Sequence, residues 1–421
     1  MLQCGFYETD ITPHIGQIMP GGFGGHHSKS VRDQLYASAF AVKANDETSI
    51  ILSLDALMIE KEEADKIREG VAKIIDMPVS HISVNAIHTH AGGPLVNLYN
   101  DVKDPEYCNF VVNRAIDAAH MAYRNMEEAK IGVGSCAVDG VAFTRRYLFK
   151  DGTVQNNPPR MSPEIEKPLE DVDKELLVVR VDRMDGTPMG MITNFALHPA
   201  YAQDLPGHGF SADFPGEIRK HVRNKYGADL HFMFLQGAAG NINLRNPFIP
   251  KEEQIDFCQA GQILADHAIE LFSKIHTEEK DVVRCTHSHF VGHTCRPTVE
   301  QIETVDVSDY TRRELRKALD LPDEEIEIEV CSMCIGDILI HMLPGELFGY
   351  FSLYLKEHSQ FKHTIVTQLC NNKIGYINTK EAREMGGYDA TPSTYIRMDV
   401  NAGYQILDSA MTNMERLKNN Y

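Results

Sequence analysis

The sequence predicts an α/β fold in which mixed β-sheets are flanked by helices. Short runs with the alternating periodicity of strands recur along the whole chain, and longer amphipathic stretches of helical periodicity separate many of them. Two tight turns, Asp185-Gly186 and Gly336-Asp337, join neighbouring strand runs into antiparallel hairpins. Helical crossovers favour parallel pairs, so both kinds of pairing are expected. No repeat or low-complexity linker divides the chain, and we expect one domain over residues 1–421.

The individual elements follow from the same patterns. Strands are assigned to short apolar and β-branched runs that end at turn residues: 49–54, 82–87, 175–182, 191–197, 230–235, 326–334, 338–343 and 364–369. Helices are assigned where apolar residues recur every three or four positions: 60–75, 105–126, 215–226, 251–275, 347–358 and 405–417. Residues 150–168 contain four prolines and few apolar side chains, and they predict a long loop that is either a lid or a solvated excursion.

Composition and charge describe a globular protein without a polyanionic partner. A chain of 421 residues with 43% hydrophobic residues can bury a large core. Its formal net charge of −19 disfavours nucleic acid and anionic membranes as partners. No apolar run reaches the roughly 18 residues of a membrane span, and the amino terminus lacks a signal segment. We therefore expect no stable membrane insertion and a cytoplasmic location, and leave the oligomeric state open.

The nine cysteines predict thiols rather than a disulfide framework, because their number is odd and they are scattered along the chain. Cys331 and Cys334 form one C-x-x-C pair within the sixth predicted strand, without a second pair that would build a zinc ribbon. We interpret both as half-buried thiols.

Candidate chemistry lies where three predicted strands end. His88 and His90 follow the second predicted strand, His198 follows the fourth, and Glu346 comes shortly after the seventh. Imidazoles and carboxylates at strand ends are typical of metal and substrate sites. A single histidine there is more often a surface or capping residue. His88 and His90 would share one face of a strand, but the H-x-H-x-D-H pattern of metallo-β-lactamases is absent. The residues alone leave a metal role open.

Six motifs, in order across nearly the whole chain, resemble those of the neutral/alkaline ceramidase family. They are Asp10-Ile11-Thr12-Pro13, Asp33-Gln34-Leu35-Tyr36-Ala37, Ile87-His88-Thr89-His90-Ala91-Gly92, His198-Pro199, Pro344-Gly345-Glu346 and Gly375-Tyr376-Ile377-Asn378-Thr379. The Asp10–Pro13 and Pro344–Glu346 motifs are weak when taken singly, and the ordered series carries the resemblance. It implies the fold of the ceramidase catalytic domain and a Zn²⁺ ion held by His88, His198, Glu346 and Tyr376. Tyrosine is the unusual ligand, because the cation must lower the pKa of its phenol. Without the resemblance, Tyr376 would be interpreted as a core aromatic.

The resemblance also implies roles for residues around the metal. His90 would face the reacting amide and act as a proton shuttle with a pKa near neutrality. Arg145 would stabilise the developing oxyanion, with its neighbour Arg146 as the alternative match. Tyr388 would donate a hydrogen bond to the substrate.

Gly22, Gly240 and Asn243 are the predicted substrate-binding positions. The glycine-rich turn around Gly240 offers backbone N–H groups to an oxygen or an anion, although it lacks the ending of a phosphate loop. Asn243 stands where ceramidases carry a serine, and this departure weakens the case for ceramide itself as the substrate.

The sequence therefore predicts a zinc-dependent hydrolase that cleaves a linear amide, with N-acyl amides as the substrate class. The alternatives are an esterase or lactonase that uses the same site, and a non-catalytic binding protein of the same fold. The chain ends soon after the last motif, so we expect the catalytic domain alone, without the carboxy-terminal immunoglobulin-like domain of ceramidases. Because tryptophan is absent and no membrane-binding patch is evident, we expect a small amide or lipid-like substrate rather than one extracted from a bilayer.

Overall fold

The computed structural model describes residues 1–22, 25–205, 207–305, 307 and 309–419, and at 309 and 310 it describes the backbone alone. The helices are α1 (Lys61–Ile75), α2 (Pro105–Arg124), α3 (Asp213–Tyr226), α4 (Phe257–Lys274), α5 (Val299–Thr304), α6 (Asp309–Lys317), α7 (Gly349–Glu357), α8 (Lys380–Met385) and α9 (Asn401–Asn419). The strands are β1 (Gln3–Asp10), β2 (Ser30–Val31), β3 (Tyr36–Ala44), β4 (Glu47–Leu54), β5 (Ile82–Ala86), β6 (Glu127–Ala137), β7 (Phe143–Thr144), β8 (Arg146–Phe149), β9 (Val154–Asn156), β10 (Ile165–Pro168), β11 (Glu175–Arg183), β12 (Pro188–Phe195), β13 (Gly209–Phe210), β14 (His231–Gln236), β15 (Ile242–Asn243), β16 (Val283–His293), β17 (Glu325–Ile335), β18 (Ile338–Met342), β19 (Glu346–Leu347), β20 (His363–Thr367) and β21 (Tyr376–Ile377).

Two mixed sheets with helices packed on them confirm the predicted fold class. The large sheet has the strand order β14-β12-β11-β6-β1-β3-β4-β5, and β5 and β14, at its two edges, each pair in parallel with their neighbour. The smaller sheet has the order β16-β17-β18-β20, with β18 and β20 parallel. Both predicted hairpins, β11–β12 and β17–β18, are present.

All eight predicted strands are present, with ends shifted by at most three residues. Four long strands, β1, β3, β6 and β16, lie outside the predicted set. In β3 nearly every side chain is buried, on both faces of the sheet, so apolar and polar residues do not alternate. This explains the failure at β3 but not at β6 and β16, which are partly exposed.

The predicted helices are present, but the start of α4 was placed too early. The prediction began at residue 251, whereas the helix begins at Phe257. Asp256 forms a capping box with Gln259 and thereby fixes the first turn, while Lys251–Glu253 form a separate 3-10 turn. A cap sets the boundary here more sharply than the apolar periodicity does.

The segment 150–168 is not the long irregular loop that was predicted. Its residues supply β9 and β10, which flank β8 in a small antiparallel sheet. Of its four prolines, only Pro168 lies in a strand, the edge strand β10, where outer N–H groups need no partner in the ladder. The other three lie in the connection between β9 and β10.

The helices and the cysteines of the chain bear on two predictions from the sequence. Among the described residues, no helix combines the length and the apolar character needed to cross a lipid bilayer. All nine cysteines are thiols, as predicted. Cys331 and Cys334 are fully buried rather than half-buried, because β17 lies inside the small sheet and is covered on both faces.

Polar side chains join the ends of strands from the two sheets. Asn85, in β5, donates through Nδ2 to the carbonyl of Gln368 at 2.5 Å. Asn194, in β12, donates to the carbonyl of Val366 at 3.1 Å, and the N–H of Gln368 donates to the carbonyl of Gln236 at 2.9 Å. These bonds hold the carboxyl ends of β5, β12, β14 and β20 together, where sites commonly form in α/β proteins. The candidate catalytic residues extend from this junction.

Candidate active site

His88 leaves the large sheet in a strained backbone conformation. β5 ends at Ala86, and His88 has a φ of +72°, an uncommon value for a residue other than glycine. Its N–H donates to the carbonyl of Ala56 at 2.9 Å, and its Nδ1 lies 2.8 Å from the carbonyl oxygen of Leu57. Such strain persists only where the surroundings hold it in place, and it concentrates at functional sites. The two histidines therefore do not share a strand face, as the pattern suggested.

Three imidazoles nevertheless meet at one point. The Nε2 atom of His198, which follows β12, lies 3.0 Å from Nε2 of His88 and 3.2 Å from Nε2 of His90. Each Nδ1 faces a carbonyl oxygen, at 2.8 Å for His88, 2.9 Å for His90 and 3.2 Å for His198. A carbonyl can only accept, so the protons of His88 and His90 belong on Nδ1 and their Nε2 lone pairs face the Nε2 atom of His198, whose own Nδ1 lies between the Ala239 carbonyl and the Arg145 guanidinium. A cation among them would satisfy this arrangement.

Glu346, the first residue of β19, completes the cluster. Its Oε2 lies 3.0 Å from Nε2 of His88 and 3.9 Å from Nε2 of His198, and it has no hydrogen-bond donor among the described residues. Oε1 accepts a hydrogen bond from the phenol of Tyr395. Burial would raise the pKa of Glu346, but the neighbouring His88 and the Tyr395 hydroxyl lower it below its usual range. An ionised, buried oxygen without a donor fits a metal ligand.

The imidazoles of His90 and His198 are held in their neutral form. Burial, with the nearby His88 as the next cause, lowers the pKa of His90 to about 3 and that of His198 well below its ordinary value. Metals bind neutral imidazole, so the site is poised for ligation. The pKa of His90 is thus far from the near-neutral value expected of a proton shuttle, although its neutral ring can accept a proton.

Tyr376 lies beside the cluster because β21 pairs in parallel with β19, which places it next to Glu346. Its phenol oxygen is 3.4 Å from Nη1 of Arg145, and its ring packs against that of Tyr395 at 5.6 Å between centroids. Burial and then the negative charge of Glu346 raise its pKa well above the ordinary value. The phenol is therefore protonated unless a cation binds it.

Arg145 brings a buried positive charge to the cluster. It is only 4% exposed, and its Nη2 lies 3.0 Å from Nδ1 of His198 and 3.3 Å from the carbonyl of Ile242. Nη1 also bonds the hydroxyl of Tyr388. Within the described part of the chain, no carboxylate lies within salt-bridge distance of Arg145, and its Nε is buried without an acceptor. An unpaired, desolvated guanidinium is suited to stabilising a developing anion.

Arg146 points in the other direction. Its Nε lies 2.8 Å from Glu170 and its Nη1 lies 2.6 Å from the fully buried Asp389. Both hydrogen-bonding edges of its guanidinium are used by carboxylates. Of the two adjacent arginines, only Arg145 contacts the histidine cluster.

The cluster forms one end of a cavity of about 310 Å³. Its walls are mostly apolar and aromatic, and they include His88, His90, Glu346, Tyr376, Tyr388, Tyr395, Leu57, Met58, Leu98, Tyr99, Ser393 and Ile396. Thr311, Glu314 and Leu315 of α6 line the cavity as well. The volume is at the small end of the range for ligand pockets, roughly 300–1,000 Å³.

Comparison with known proteins identifies the family. Residues 2–205 match the family described as neutral/alkaline non-lysosomal ceramidase, N-terminal. Residues 2–205 therefore belong to the neutral/alkaline ceramidase family. The match includes His88, His90, Arg145 and His198, while Glu346 lies beyond it.

Solved structures of ceramidases share the fold. Neutral ceramidase from Pseudomonas aeruginosa is similar with a TM-score of 0.74 and 14% sequence identity, over 99% of this chain and 75% of that one. A structure described as a ceramidase complexed with C2 is similar with a TM-score of 0.74 and 13% identity, over 99% of this chain and 76% of that one. At these identities the likeness concerns the fold.

The predicted ligands and catalytic residues of this family member lie together, whereas its predicted substrate-binding residues do not line the cavity. A Cβ on Gly22 would meet Nδ1 of His26 at 2.8 Å, and one on Gly240 would meet the carbonyl of Glu346 at 2.6 Å. The side chain of Asn243 bonds that of Asn157 and accepts from the N–H of Arg245 at 2.8 Å. Gly240 and Asn243 thus support neighbouring segments, and substrate contact at all three positions stays a prediction.

Several site residues had no signal in the sequence. Tyr395 holds Glu346 through its hydroxyl, but it lies in an irregular segment without a recognisable motif. The backbone carbonyls of Leu57 and Gly21 orient the imidazoles of His88 and His90. A sequence pattern of side chains does not show such backbone contacts. Helix α6 lines the cavity only because segments that are far apart in the sequence pack together.

Proposed function

We propose that this ceramidase-family protein is a zinc-dependent hydrolase that cleaves a linear N-acyl amide. The observation that carries the proposal is the convergence of three imidazole Nε2 atoms with the donor-free Oε2 of Glu346 beside Arg145. Family membership supports hydrolysis of an amide as the reaction class. The fit of the donor set supports a metal-dependent reaction.

His88, His198 and Glu346 would hold the ion, with Tyr376 as the fourth ligand. His90 is the competing ligand, because its Nε2 is nearly as close to that of His198 as the Nε2 of His88 is. When bound, zinc would supply a Lewis acid that polarises the amide carbonyl and acidifies a water molecule.

The protein's own groups would perform the remaining steps. The guanidinium of Arg145 donates to the carbonyl oxygen as negative charge develops on it, and Tyr388, which Arg145 orients, adds a second donor. Neutral His90 accepts the proton of the attacking water and transfers it to the leaving amine as the C–N bond breaks. The apolar wall of the cavity excludes bulk water and binds the acyl group.

The size of the cavity supports a short acyl group. Each methylene buried contributes about 0.8 kcal/mol, or roughly a fourfold gain in kcat/KM. A cavity of about 310 Å³ fills after a few such groups together with the amide. We therefore infer that activity rises over the first members of an acyl series and then levels off.

The test is an acyl series of amides with matched esters, assayed on metal-loaded protein at constant detergent. The control is the His88→Ala/His198→Ala variant, which should lose both the metal and the activity. Efficiency that keeps rising to sphingolipid chain lengths would replace our substrate class with ceramide. Preferred cleavage of the esters would favour the esterase alternative, and unchanged metal content in the double variant would refute the ligand assignment.

A further inference from the structure

A second group of metal-binding side chains lies outside the candidate active site. The carboxylate of Glu47, the imidazole of His81 and the thiol of Cys285 have ligand atoms that all lie within 4.8 Å of one another. All three residues are partly exposed. They come from the first residue of β4, the 3-10 turn before β5 and the edge strand β16.

His81 is oriented as metal-binding histidines are. Its Nδ1 lies 3.0 Å from the carbonyl oxygen of Thr48, which can only accept, so the proton belongs on Nδ1. Nε2 is then the unprotonated nitrogen, and it lies 3.9 Å from Oε1 of Glu47. A backbone acceptor that fixes the tautomer in this way is the usual support of a ligating imidazole.

The three segments are also fixed relative to one another. Oε1 of Glu47 accepts from the N–H of Cys285 at 2.6 Å, and Asn45, in the turn before β4, donates to the carbonyl of Asp281 at 2.7 Å. The hydroxyl of Ser49 donates to the carbonyl of His81 at 3.0 Å. The side chains are therefore positioned before any ion binds, and little ordering is required on binding.

This cluster is distant from the candidate active site. His81 precedes β5 and His88 follows it, so the two sites lie at opposite ends of one strand, about 20 Å apart at roughly 3.3 Å per residue. The cluster opens on a separate cavity of about 760 Å³ that also borders Asn45, Asp46 and Arg416.

We propose that Glu47, His81 and Cys285 form a second metal site for zinc or a similar divalent cation, with a fourth position open to the cavity. Sulfur, imidazole nitrogen and carboxylate oxygen are the donors that zinc takes in proteins. Oε2 of Glu47 binds the ion while Oε1 keeps its bond to the N–H of Cys285. The thiol proton passes to solvent on binding, and thiolate and carboxylate together neutralise the dipositive ion. The ion links β4 of the large sheet to β16 of the small one.

Cobalt(II) distinguishes the two sites by their ligands. Among the described residues, no cysteine lines the candidate active site, so a thiolate-to-cobalt charge-transfer band can arise only from a separate cysteine site. Titration of the metal-free protein should give this band with saturation by two equivalents in total, because the candidate active site also takes one ion. It should persist in His88→Ala/His198→Ala, which removes the first site, and disappear in His81→Ala and Cys285→Ser. Cys258→Ser, at a partly exposed cysteine of α4, should keep it.

Thermal unfolding controls for damage to the fold. In EDTA, the Cys285→Ser variant should have the same Tm as the wild type. When zinc is added at this site, only the wild type should gain in Tm. Glu47→Gln preserves the acceptor for the N–H of Cys285 and removes the anionic ligand, so it should weaken cobalt binding at least tenfold. No charge-transfer band in saturated wild-type protein, a band that survives Cys285→Ser, or unchanged affinity in Glu47→Gln would each overturn the proposal.

Discussion

Adjacent arginines with opposite environments allow activity and stability to be separated. Arg145 contacts the histidine cluster without a carboxylate partner among the described residues, whereas Arg146 is paired with Glu170 and Asp389. We expect Arg145→Met to reduce catalysis and Arg146→Met to reduce stability. Methionine approximates the length of the arginine stem and removes the charge in both variants.

The expected sizes follow from these environments. Loss of an oxyanion donor costs about 2.7–4 kcal/mol of transition-state stabilisation, or roughly a 10²- to 10³-fold loss in kcat. Removal of Arg146 leaves the fully buried Asp389 without its cation, which costs about 3–5 kcal/mol of folding free energy. Unfolding entropy of about 2.1 cal/mol/K per residue gives roughly 0.9 kcal/mol/K for this chain, so Tm should fall by about 3–6 °C. Arg145→Met should shift Tm by less, because no buried carboxylate loses a partner.

The assay combines kcat for the best amide substrate, metal content and thermal unfolding for both variants. Arg145→Met should keep its metal, since Arg145 is not a ligand, and Arg146→Met should keep kcat within a few-fold below its Tm. The reasoning is refuted if Arg145→Met turns over at the wild-type rate, or if both variants lose similar amounts of kcat per folded molecule.

Three further predictions concern the ligands and acid stability. His88→Ala should lose the metal, while His90→Ala should keep it and lose roughly 10²- to 10⁴-fold in kcat; equal metal loss in elemental analysis would make His90 a ligand instead. Tyr395→Phe removes the hydrogen bond to Glu346 and should weaken metal affinity about 10- to 100-fold in chelator competition, and unchanged affinity would exclude a supporting role. Burial lowers the pKa of His341 from 6.5 to about 3, so the unfolded chain takes up a proton that the folded chain does not, and stability falls as pH falls below 6.5. His341 should lower the free energy of unfolding, measured in urea, by about 3 kcal/mol between pH 6.5 and 4. The His341→Gln variant should lack that part of the pH dependence, and an unchanged dependence of its unfolding free energy on pH would contradict the prediction.

The fold class and most elements could be predicted because they depend on local patterns. Hairpin turns with Asp and Gly, apolar runs and helical periodicity all depend on residues that are close together in the sequence. Two failures have physical causes: β3 is covered on both faces and shows no alternation, and β9 and β10 form a small sheet that only their pairing with β8 creates. The single-domain prediction for 1–421 stays a prediction.

The candidate site was predictable in its residue types and only partly in its arrangement. Histidines at strand ends and the ordered motifs identified His88, His90, His198 and Glu346, because chain direction and strand ends are local properties. Their meeting depends on two sheets whose ends are joined by hydrogen bonds between residues far apart in sequence. No local pattern encodes such bonds.

The sequence by itself determined the family, the mixed-sheet fold and the candidate ligands, since each rests on residue identities and their order along the chain. Only the tertiary structure decided that Arg145 rather than Arg146 contacts the cluster, that Tyr395 holds Glu346, and that Glu47 and Cys285 meet across 238 positions. Adjacent residues in an extended segment point to opposite sides, and long-range partners are chosen by packing. The direction in which a side chain points and its distance from its partners therefore follow from the folded chain, whereas the chemical type of each candidate residue is already present in the sequence.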